Sequence, residues 1–268
     1  MAEKRKKTKT KHHRGRRVKK KTASNILTNL ILICAIAIFL VAGFKLFLIG
    51  KGYLDGRSEY EKVMDVAVEY EEGEKFRVDF DALMDMNSDT IGWIRFNPEP
   101  SIINYPIVQG NDNDLYLHKT FSANENTLGA IFLDYNCSPS FSSRNSIIYG
   151  HRMKDGSMFR KLEDYKDKSF WEENPYFYIY TPDGKEITYH IYSAGVVKDD
   201  AQTYMISFEN DESFQSFIDF TIKSSAYDTG VEVTTDDQIV TLSTCTASSD
   251  NHRYVVHGVK IQEISLED

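Results

Sequence analysis

Residues Ile239-Val240-Thr241-Leu242-Ser243-Thr244-Cys245 form a β-branched run that ends on a thiol. A second β-branched run, at residues 254–261, follows directly after Arg253. Both runs have the composition of strands, and the short segment between them, residues 246–252, can close a hairpin. That hairpin would place the guanidinium of Arg253 close to the thiol of Cys245. Because a nearby cation favours the thiolate, the pattern indicates a reactive cysteine.

Short β-branched and aromatic runs recur from Ile91 onward and predict a mainly β domain. They lie at residues 91–94, 102–108, 129–133, 146–149, 176–180 and 187–197. The last two runs are separated by Thr181-Pro182-Asp183-Gly184, which predicts a hairpin because Pro presets φ and Gly accepts positive φ. Apolar residues at helical spacing predict helices at residues 59–70, 80–86 and 208–227.

Length and cysteine usage limit the class of protein. A chain of 268 residues that is 41% hydrophobic and 13% aromatic can bury one main core. Its three cysteines, Cys34, Cys137 and Cys245, are too few and too scattered for a disulfide framework or a zinc site. Cys34 lies in an apolar stretch and is assigned no chemistry. Cys137 is predicted to be an incidental free thiol in a surface loop.

No cofactor and no metal are predicted. The chain has no phosphate-binding glycine loop. The acids Asp112, Asp114 and those at residues 236–237 could suggest calcium, but they lack the ligand spacing of a calcium loop. We therefore interpret them as solvated surface charge.

Charge divides the chain into a basic head and an acidic body. Residues 1–24 hold 12 Lys and Arg against one acid, and the rest of the chain holds 20 against 39. Residues 26–49 are nearly all apolar and, at about 1.5 Å per residue, are long enough to cross a bilayer core of roughly 30 Å. The positive-inside rule then predicts a cytoplasmic N-terminus and an extracytoplasmic body.

Two alternatives to this topology are open. A cleaved signal peptide is disfavoured because the apolar run is longer than a usual signal core and no clear small-residue cleavage site follows it. The basic head could bind nucleic acid non-specifically, but beside a membrane span its role is better explained by topology. We therefore predict a membrane partner and no nucleic-acid partner.

Five histidines of the acidic body are candidate partners for Cys245: His118, His151, His190, His252 and His257. His151 is favoured because it stands where the strand at 146–149 gives way to a polar segment, and sites are commonly built at such junctions. His190 and His257 fall inside strand patterns and are expected to be packed, whereas His118 lies in a predicted loop. His252 stays an alternative, although it neighbours Arg253 and adjacent strand residues point to opposite faces.

Residues 241–245 with Arg253, and Tyr149-Gly150-His151 upstream, resemble the sortases, the cysteine transpeptidases of the Gram-positive cell surface. The resemblance covers roughly residues 90–264. Residues 105–110, Asn113, Tyr116-Leu117, residues 129–132 and the helix before the cysteine strand look like class B of that family. It implies a closed eight-stranded β-barrel with N-terminal helices and one inserted helix, preceded by a single transmembrane helix.

Charge, hydropathy and the resemblance together predict a domain organisation. Residues 1–25 would be a basic cytoplasmic tail and residues 26–49 a transmembrane signal anchor. Residues 50–88 would hold a helical linker with the N-terminal helices. Residues 89–268 would be the extracytoplasmic sortase domain.

The implied catalytic set is Cys245, His151 and Arg253. The thiol would attack the Thr carbonyl of a Pro-x-Thr-type sorting signal, often Asn-Pro-x-Thr or Ser-Pro-x-Thr in class B, and an amine of a peptidoglycan precursor or a pilin would resolve the acyl-enzyme. Permanently charged Arg253 cannot be a base but can hold carbonyls and stabilise the oxyanion. His151 can pass protons to the leaving amine and from the incoming one. No third member is nominated, although Asp250 and Asn251 lie nearby.

The resemblance further suggests that Asn113, Leu117, Tyr204 and Ser243 line the groove for the sorting peptide, although each could also be a turn, core or strand residue. Two other functions are open. A cysteine peptidase or wall hydrolase would use water, but papain-like enzymes place Cys before His in the chain, and the order is reversed here. A membrane-tethered binding protein would leave Cys245 inert.

Overall fold

The computed structural model describes residues 17–70, 76–247, 249 and 251–266, without the side chains of residues 17–24 and 70. The α-helices are α1 (Arg17–Ala67), α2 (Phe80–Met86), α3 (Leu115–His118), α4 (Lys168–Glu173) and α5 (Asp211–Lys223), with 3-10 helices at Phe159–Lys166 and Gln202–Tyr204. The strands are β1 (Val68–Tyr70), β2 (Phe76–Val78), β3 (Thr90–Phe96), β4 (Asn104–Val108), β5 (Ile131–Leu133), β6 (Asn145–Tyr149), β7 (Tyr176–Thr181), β8 (Lys185–Lys198), β9 (Ile239–Cys245) and β10 (His252–Ser265).

Eight strands close into a barrel in the order β10-β8-β7-β3-β4-β5-β6-β9, which confirms the predicted closed eight-stranded β-barrel. The pairs β4–β5 and β6–β9 are parallel, and the other pairs are antiparallel. The predicted hairpin between β7 and β8 is present, and Gly184 in its turn has φ of 71°. Closure leaves no barrel strand with an unpaired edge.

The chain divides after Lys51 into two compact units. In the first, α1 carries large apolar side chains that are exposed, and from Asn25 onward it meets the length and composition criteria for a membrane span, with a mean hydropathy of 2.7. The second unit, from Gly52 onward, contains the C-terminal part of α1 (residues 52–67) and the barrel.

Two predicted helix boundaries and one predicted loop were wrong. The helix predicted at 59–70 ends at Ala67, because Val68–Tyr70 pairs with Phe76–Val78 in a small separate sheet. The helix predicted at 208–227 is the shorter α5, because the Asn210 side chain accepts from the backbone of Ser213 and fixes the N-terminus. His118, expected in a loop, is the last residue of α3.

Side chains of β9 alternate between two environments. Val240 and Leu242 belong to the main core, which includes residues from all eight barrel strands. Ile239 packs in a second cluster with Phe214 and other side chains of α5. Because strand side chains alternate, Cys245 lies on the same outer face as Ile239. The helix covers the Ile239 end of this face, whereas the thiol at the other end is exposed.

Candidate active site

Cys245 is the last residue of β9, and Arg253 lies directly opposite it in β10. The predicted hairpin is therefore confirmed. Directly opposed residues of an antiparallel pair share a face, with Cα atoms roughly 4.5–5.5 Å apart. The alternative candidate, His252, makes a 3.0 Å hydrogen bond between its Nδ1 and the Ser249 hydroxyl within the connecting turn. The cation opposite the thiol is thus the guanidinium.

His151 reaches the same place from a strand that is distant in sequence. β6 runs parallel to β9 with Tyr149 opposite Ser243, and the Gly150 amide donates to the Ser243 carbonyl at 3.1 Å. The Nε2 atom of His151 lies 2.7 Å from the carbonyl oxygen of Leu117. A carbonyl only accepts, so Nε2 carries the hydrogen in this contact and Nδ1 is the ring nitrogen left for proton transfer.

A cavity of about 230 Å³ contains this group. It brings together six of the seven predicted site residues: Asn113, Leu117, His151, Ser243, Cys245 and Arg253. Phe132, Tyr149, Gly150 and Thr244 complete its lining. The seventh predicted residue, Tyr204, stands behind this lining, where its hydroxyl is 2.9 Å from the Ser243 hydroxyl.

Tyr204 also stacks on Tyr149, with ring centroids 6.4 Å apart. Burial raises the pKa of Tyr204 to about 12, so its hydroxyl stays protonated at neutral pH. The turn that carries it is held by Asn145 of β6, whose side-chain amide donates to the carbonyl of Met205 at 2.8 Å. Thr241 of β9 donates in turn to Asn145 at 2.7 Å. The residues behind the thiol therefore belong to a hydrogen-bonded network.

Asp134 is a site residue that sequence reasoning missed. It is 5% exposed, and its Oδ2 accepts from the Asn113 amide at 2.7 Å and from the Tyr149 hydroxyl at 3.1 Å. The Asn113 carbonyl oxygen accepts from the Tyr135 amide at 3.1 Å, so both ends of that side chain bind the protein. The available signal was an acid that directly follows the buried strand β5. Asp134 orients two residues that line the cavity.

A second missed carboxylate, Asp199, lies 3.9 Å from Arg253. The two side chains are 44% and 27% exposed, so this ion pair adds little to stability. Arg253 Nη1 also donates to the His252 carbonyl at 3.1 Å. These contacts restrict where the guanidinium can point. No local pattern signals Asp199, because it follows β8 and meets Arg253 only when β8 pairs with β10.

The remaining candidate histidines lie outside the cavity. His257 is fully buried, and burial lowers its pKa to about 3, so that it is neutral. His190 stacks on Trp171 with ring centroids 6.3 Å apart, and burial also lowers its pKa. His118 is exposed and lies 3.7 Å from Asp114. The expectation that His190 and His257 are packed is confirmed.

Cys137 corrects a prediction. It was expected in a surface loop, but it is only 5% exposed and belongs to the main core. Its Sγ accepts from the Ile147 amide at 3.5 Å. Burial raises the pKa of the Cys137 thiol to about 11, which suppresses its thiolate at neutral pH. The Cys137 amide donates to the Asp134 carbonyl at 2.9 Å, which closes a turn directly after β5, and this turn brings the thiol to Ile147 of β6.

The described residues contain no group of three or more His, Cys, Asp or Glu side chains placed to hold a metal ion. Two of the acids weighed for calcium have structural contacts. Asp112 accepts from the backbone amides of Asp114 and Leu115 at 2.9 Å, at the start of α3. Asp237 accepts from the Thr234 amide at 2.7 Å. These contacts are local caps of turns.

The barrel, the Cys245–Arg253 pair and His151 can be compared with known proteins. A family model described as "Sortase domain" matches residues 98–261. The chain belongs to the sortase family. Sortase B of Staphylococcus aureus (strain NCTC 8325 / PS 47) is 31% identical over 242 residues, which span 88% of this chain and 97% of that protein.

Sortase B of Listeria monocytogenes serovar 1/2a (strain ATCC BAA-679 / EGD-e) is 35% identical over 208 residues, or 76% of this chain and 81% of that protein. The solved structure of a Staphylococcus aureus sortase B–substrate complex aligns with a TM-score of 0.63 at 34% identity, covering 68% of this chain and 84% of that one. The class B-like resemblance is thus confirmed. Membership of the sortase family supports a cysteine transpeptidase activity for this chain.

Proposed function

We propose that this sortase cleaves a Pro-x-Thr-type sorting signal of secreted proteins and transfers the acyl group to an amine of the cell wall or of a pilin. The observation that carries the proposal is the placement of Cys245 opposite Arg253, in one cavity with His151. The first half-reaction is that of a cysteine endopeptidase. The second uses an amine in place of water. The alignment of this chain with a solved Staphylococcus aureus sortase B–substrate complex supports substrate binding by this fold.

Acyl transfer needs two proton movements, and in this proposal His151 performs both. The Cys245 thiolate attacks the Thr carbonyl carbon, the C–N bond breaks, and His151 delivers its proton to the leaving nitrogen. The acceptor amine then attacks the thioester carbon, His151 takes the proton from its nitrogen, and the C–S bond breaks to regenerate the thiolate. Since Leu117 holds Nε2, Nδ1 carries both transfers.

Arg253 supplies charge where the transition state needs it. Negative charge develops on the carbonyl oxygen when the thiolate attacks, and a fixed guanidinium opposite the thiol can stabilise that charge. The cavity residues Asn113, Leu117 and Ser243 contact the sorting peptide in this proposal. Tyr204 takes part through its hydrogen bond to the Ser243 hydroxyl.

We further propose that the enzyme is anchored by its apolar N-terminal helix, with the basic head in the cytoplasm and the barrel outside the membrane. The apolar composition of α1 from Asn25 and the 12 basic residues before it support this topology. The proposed organisation is a tail at 1–25, an anchor at 26–49, a helical linker at 50–88 and the catalytic domain at 89–268.

Peptide transfer by the full chain in detergent micelles tests the proposal. The chain is incubated with a set of Pro-x-Thr peptides, with and without triglycine as the amine, and the products are separated by mass. We expect an amine-linked product from the natural chain and from Cys137→Ala, and none from Cys245→Ala. Cleavage that does not depend on the amine would favour a hydrolase. Absence of both cleavage and adducts would favour a binding protein.

A further inference from the structure

Gly129 lies directly against the ring of His151. A Cβ atom at this position would be 2.7 Å from His151 Cδ2 and 2.8 Å from the Tyr116 carbonyl oxygen. Gly129 also has φ of +61°, which disfavours a side chain. The backbone at Gly129 therefore forms part of the wall that sets the position of the imidazole. Whatever fixes this backbone also limits the movement of His151.

The C-terminal part of α1 fixes that backbone. The hydroxyl of Tyr60 donates to the Gly129 carbonyl at 2.9 Å in a buried hydrogen bond. One turn of the helix earlier, Gly56 approaches Leu128 so closely that a Cβ there would be 2.8 Å from a Leu128 methyl carbon. Glu59 accepts from the Ser122 amide at 2.9 Å. The helix thus binds the segment before β5 at several points.

The same segment is joined to the carbonyl that holds His151. The Ala130 amide donates to the Tyr116 carbonyl, and the Asn126 amide donates to the His118 carbonyl, both at 2.9 Å. Leu117, whose carbonyl contacts Nε2 of His151, stands between these two anchored residues. A shift of the segment would therefore move the acceptor that orients the imidazole.

A second route leads from Tyr60 to the backbone of His151. The ring of Tyr60 packs edge-on against Tyr105, with centroids 5.4 Å apart. The Tyr105 hydroxyl accepts from the amide of fully buried Met158 at 3.1 Å. The next amide, that of Phe159, donates to the His151 carbonyl at 3.0 Å. Tyr60 thus connects to both the ring and the main chain of the histidine.

We infer that Tyr60 is a positioning residue for His151, which it holds through the Gly129 carbonyl. The inference rests on the proposed catalytic role of His151. Tyr60 is 7% exposed, so a water molecule cannot readily take the place of its hydroxyl as the donor to Gly129. Its removal leaves the buried Gly129 carbonyl without that donor, and the backbone must shift to recover one. The imidazole then loses the geometry needed for proton transfer.

The test separates positioning of a proton donor from a general loss of structure. Full-length Tyr60→Phe in detergent micelles is assayed in single turnovers with two substrates: a Pro-x-Thr peptide, and the same peptide with a Thr thioester in place of the scissile amide. A thiolate leaves without a proton, whereas an amine needs one from His151. Tyr53→Phe on the same helix is the matched control, because Tyr53 also packs against the main core.

We expect Tyr60→Phe to lower the maximal acylation rate with the amide roughly tenfold, at an unchanged half-saturating concentration. With the thioester the loss should stay below about twofold, and Tyr53→Phe should stay below about twofold with both substrates. Gly129→Ala, which forces a Cβ against the imidazole, should reproduce the selective loss more strongly.

Equal losses with both substrates, or no loss from Tyr60→Phe and Gly129→Ala, would overturn the inference. His151→Ala shows whether the proposed function fails instead. If His151→Ala abolishes amide cleavage but preserves thioester acylation, the role of the histidine stands and only Tyr60 is at issue. If His151→Ala cleaves the amide at the natural rate, the proposed catalytic role is itself wrong.

Discussion

The outer face of the β9–β10 ladder has a covered end and an open end. At the covered end, Ile239 and Val259 lie beneath the aromatic side chains of α5. At the open end, Cys245 is exposed opposite Arg253. The backbone pairing is continuous from one end to the other. Because the backbone pairing is the same at both ends, the cover over the ladder decides which side chains can react.

Burial has a clear electrostatic consequence in this molecule. His257 lies on the same outer face, near the covered end, where it packs against Tyr192. Burial lowers its pKa to about 3. The other cysteine of the barrel, Cys137, is buried, and its pKa rises to about 11. In both residues burial opposes the charged form. A titratable side chain must reach the open end to work as a nucleophile or an acid.

The largest expected effect is the difference in reactivity between the two thiols. At pH 8, a pKa of about 11 leaves only about one part in a thousand of Cys137 as thiolate. We expect a small alkylating reagent to modify Cys245 at least a hundred times faster than Cys137 in the folded chain, because Cys245 is exposed and Cys137 is buried. Peptide mass mapping over time measures both rates. Equal rates would contradict the contrast between open and covered ends.

Phe217→Ala should lower the free energy of unfolding by about 3–5 kcal/mol. The Phe217 side chain is 1% exposed and packs in the cluster between α5 and the covered end of the ladder. Urea unfolding followed by the fluorescence of Trp93 and Trp171 measures this loss. Ile222→Ala, at a position 43% exposed on the same helix, is the control and should cost less than about 1 kcal/mol.

Below its unfolding transition, Phe217→Ala should keep the alkylation rate of Cys245 within about twofold, since the covered end supports the fold without contacting the thiol. A large loss of Cys245 reactivity in the folded variant would show that packing at the covered end also controls the thiol at the open end.

Arg253→Lys at the open end should have the opposite effect, a loss of activity with little loss of stability. We expect acylation by the sorting peptide to fall about a hundredfold, because an ammonium cannot reproduce the planar donors of the guanidinium at the oxyanion. The free energy of unfolding should change by less than about 1 kcal/mol, since the side chain is partly exposed. Arg144→Lys, at an exposed pair with Asp211, is the matched control. Equal kinetic effects of the two substitutions would contradict the role of Arg253.

Within a single pH unit, the weakest effect is the slope of stability with pH that comes from His257. Its folded-state pKa of about 3 lies below the ordinary value of 6.5, so the unfolded chain binds more protons between these limits. Stability therefore falls as pH drops from about 6.5 toward 3, by at most about 1.4 kcal/mol per pH unit from this group. His257→Leu should flatten the slope, whereas exposed His118→Gln should not. Unchanged slopes in both variants would contradict the assignment.

The sequence was sufficient where neighbours in the chain are also neighbours in the fold. A hairpin forces Cys245 and Arg253 together, so their pairing followed from two strand patterns. His151 was only favoured by its position, because its approach depends on parallel pairing of β6 with β9. The resemblance of Tyr149-Gly150-His151 to the sortase motif was the further reason to prefer His151.

Contacts between distant segments explain what was missed. Asp199 follows β8 and contacts Arg253 of β10, and Tyr60 of α1 contacts Gly129, which lies 69 residues later in the segment before β5. Neither contact leaves a periodic or local signal. The end of α1 was also missed, because pairing with Phe76–Val78 overrides the helical spacing of Val68–Tyr70. Tertiary pairing decided these features.

In the proposed reaction, the acyl group is carried by Cys245 at the open end. To find the acyl group directly, the full chain is quenched during reaction with a Pro-x-Thr peptide, and the adduct is mapped by protease digestion and mass spectrometry. We expect one thioester, on the peptide that contains Cys245, which disappears when an amine is added. An adduct on Cys137, or one that persists in Cys245→Ala, would contradict the proposed reaction.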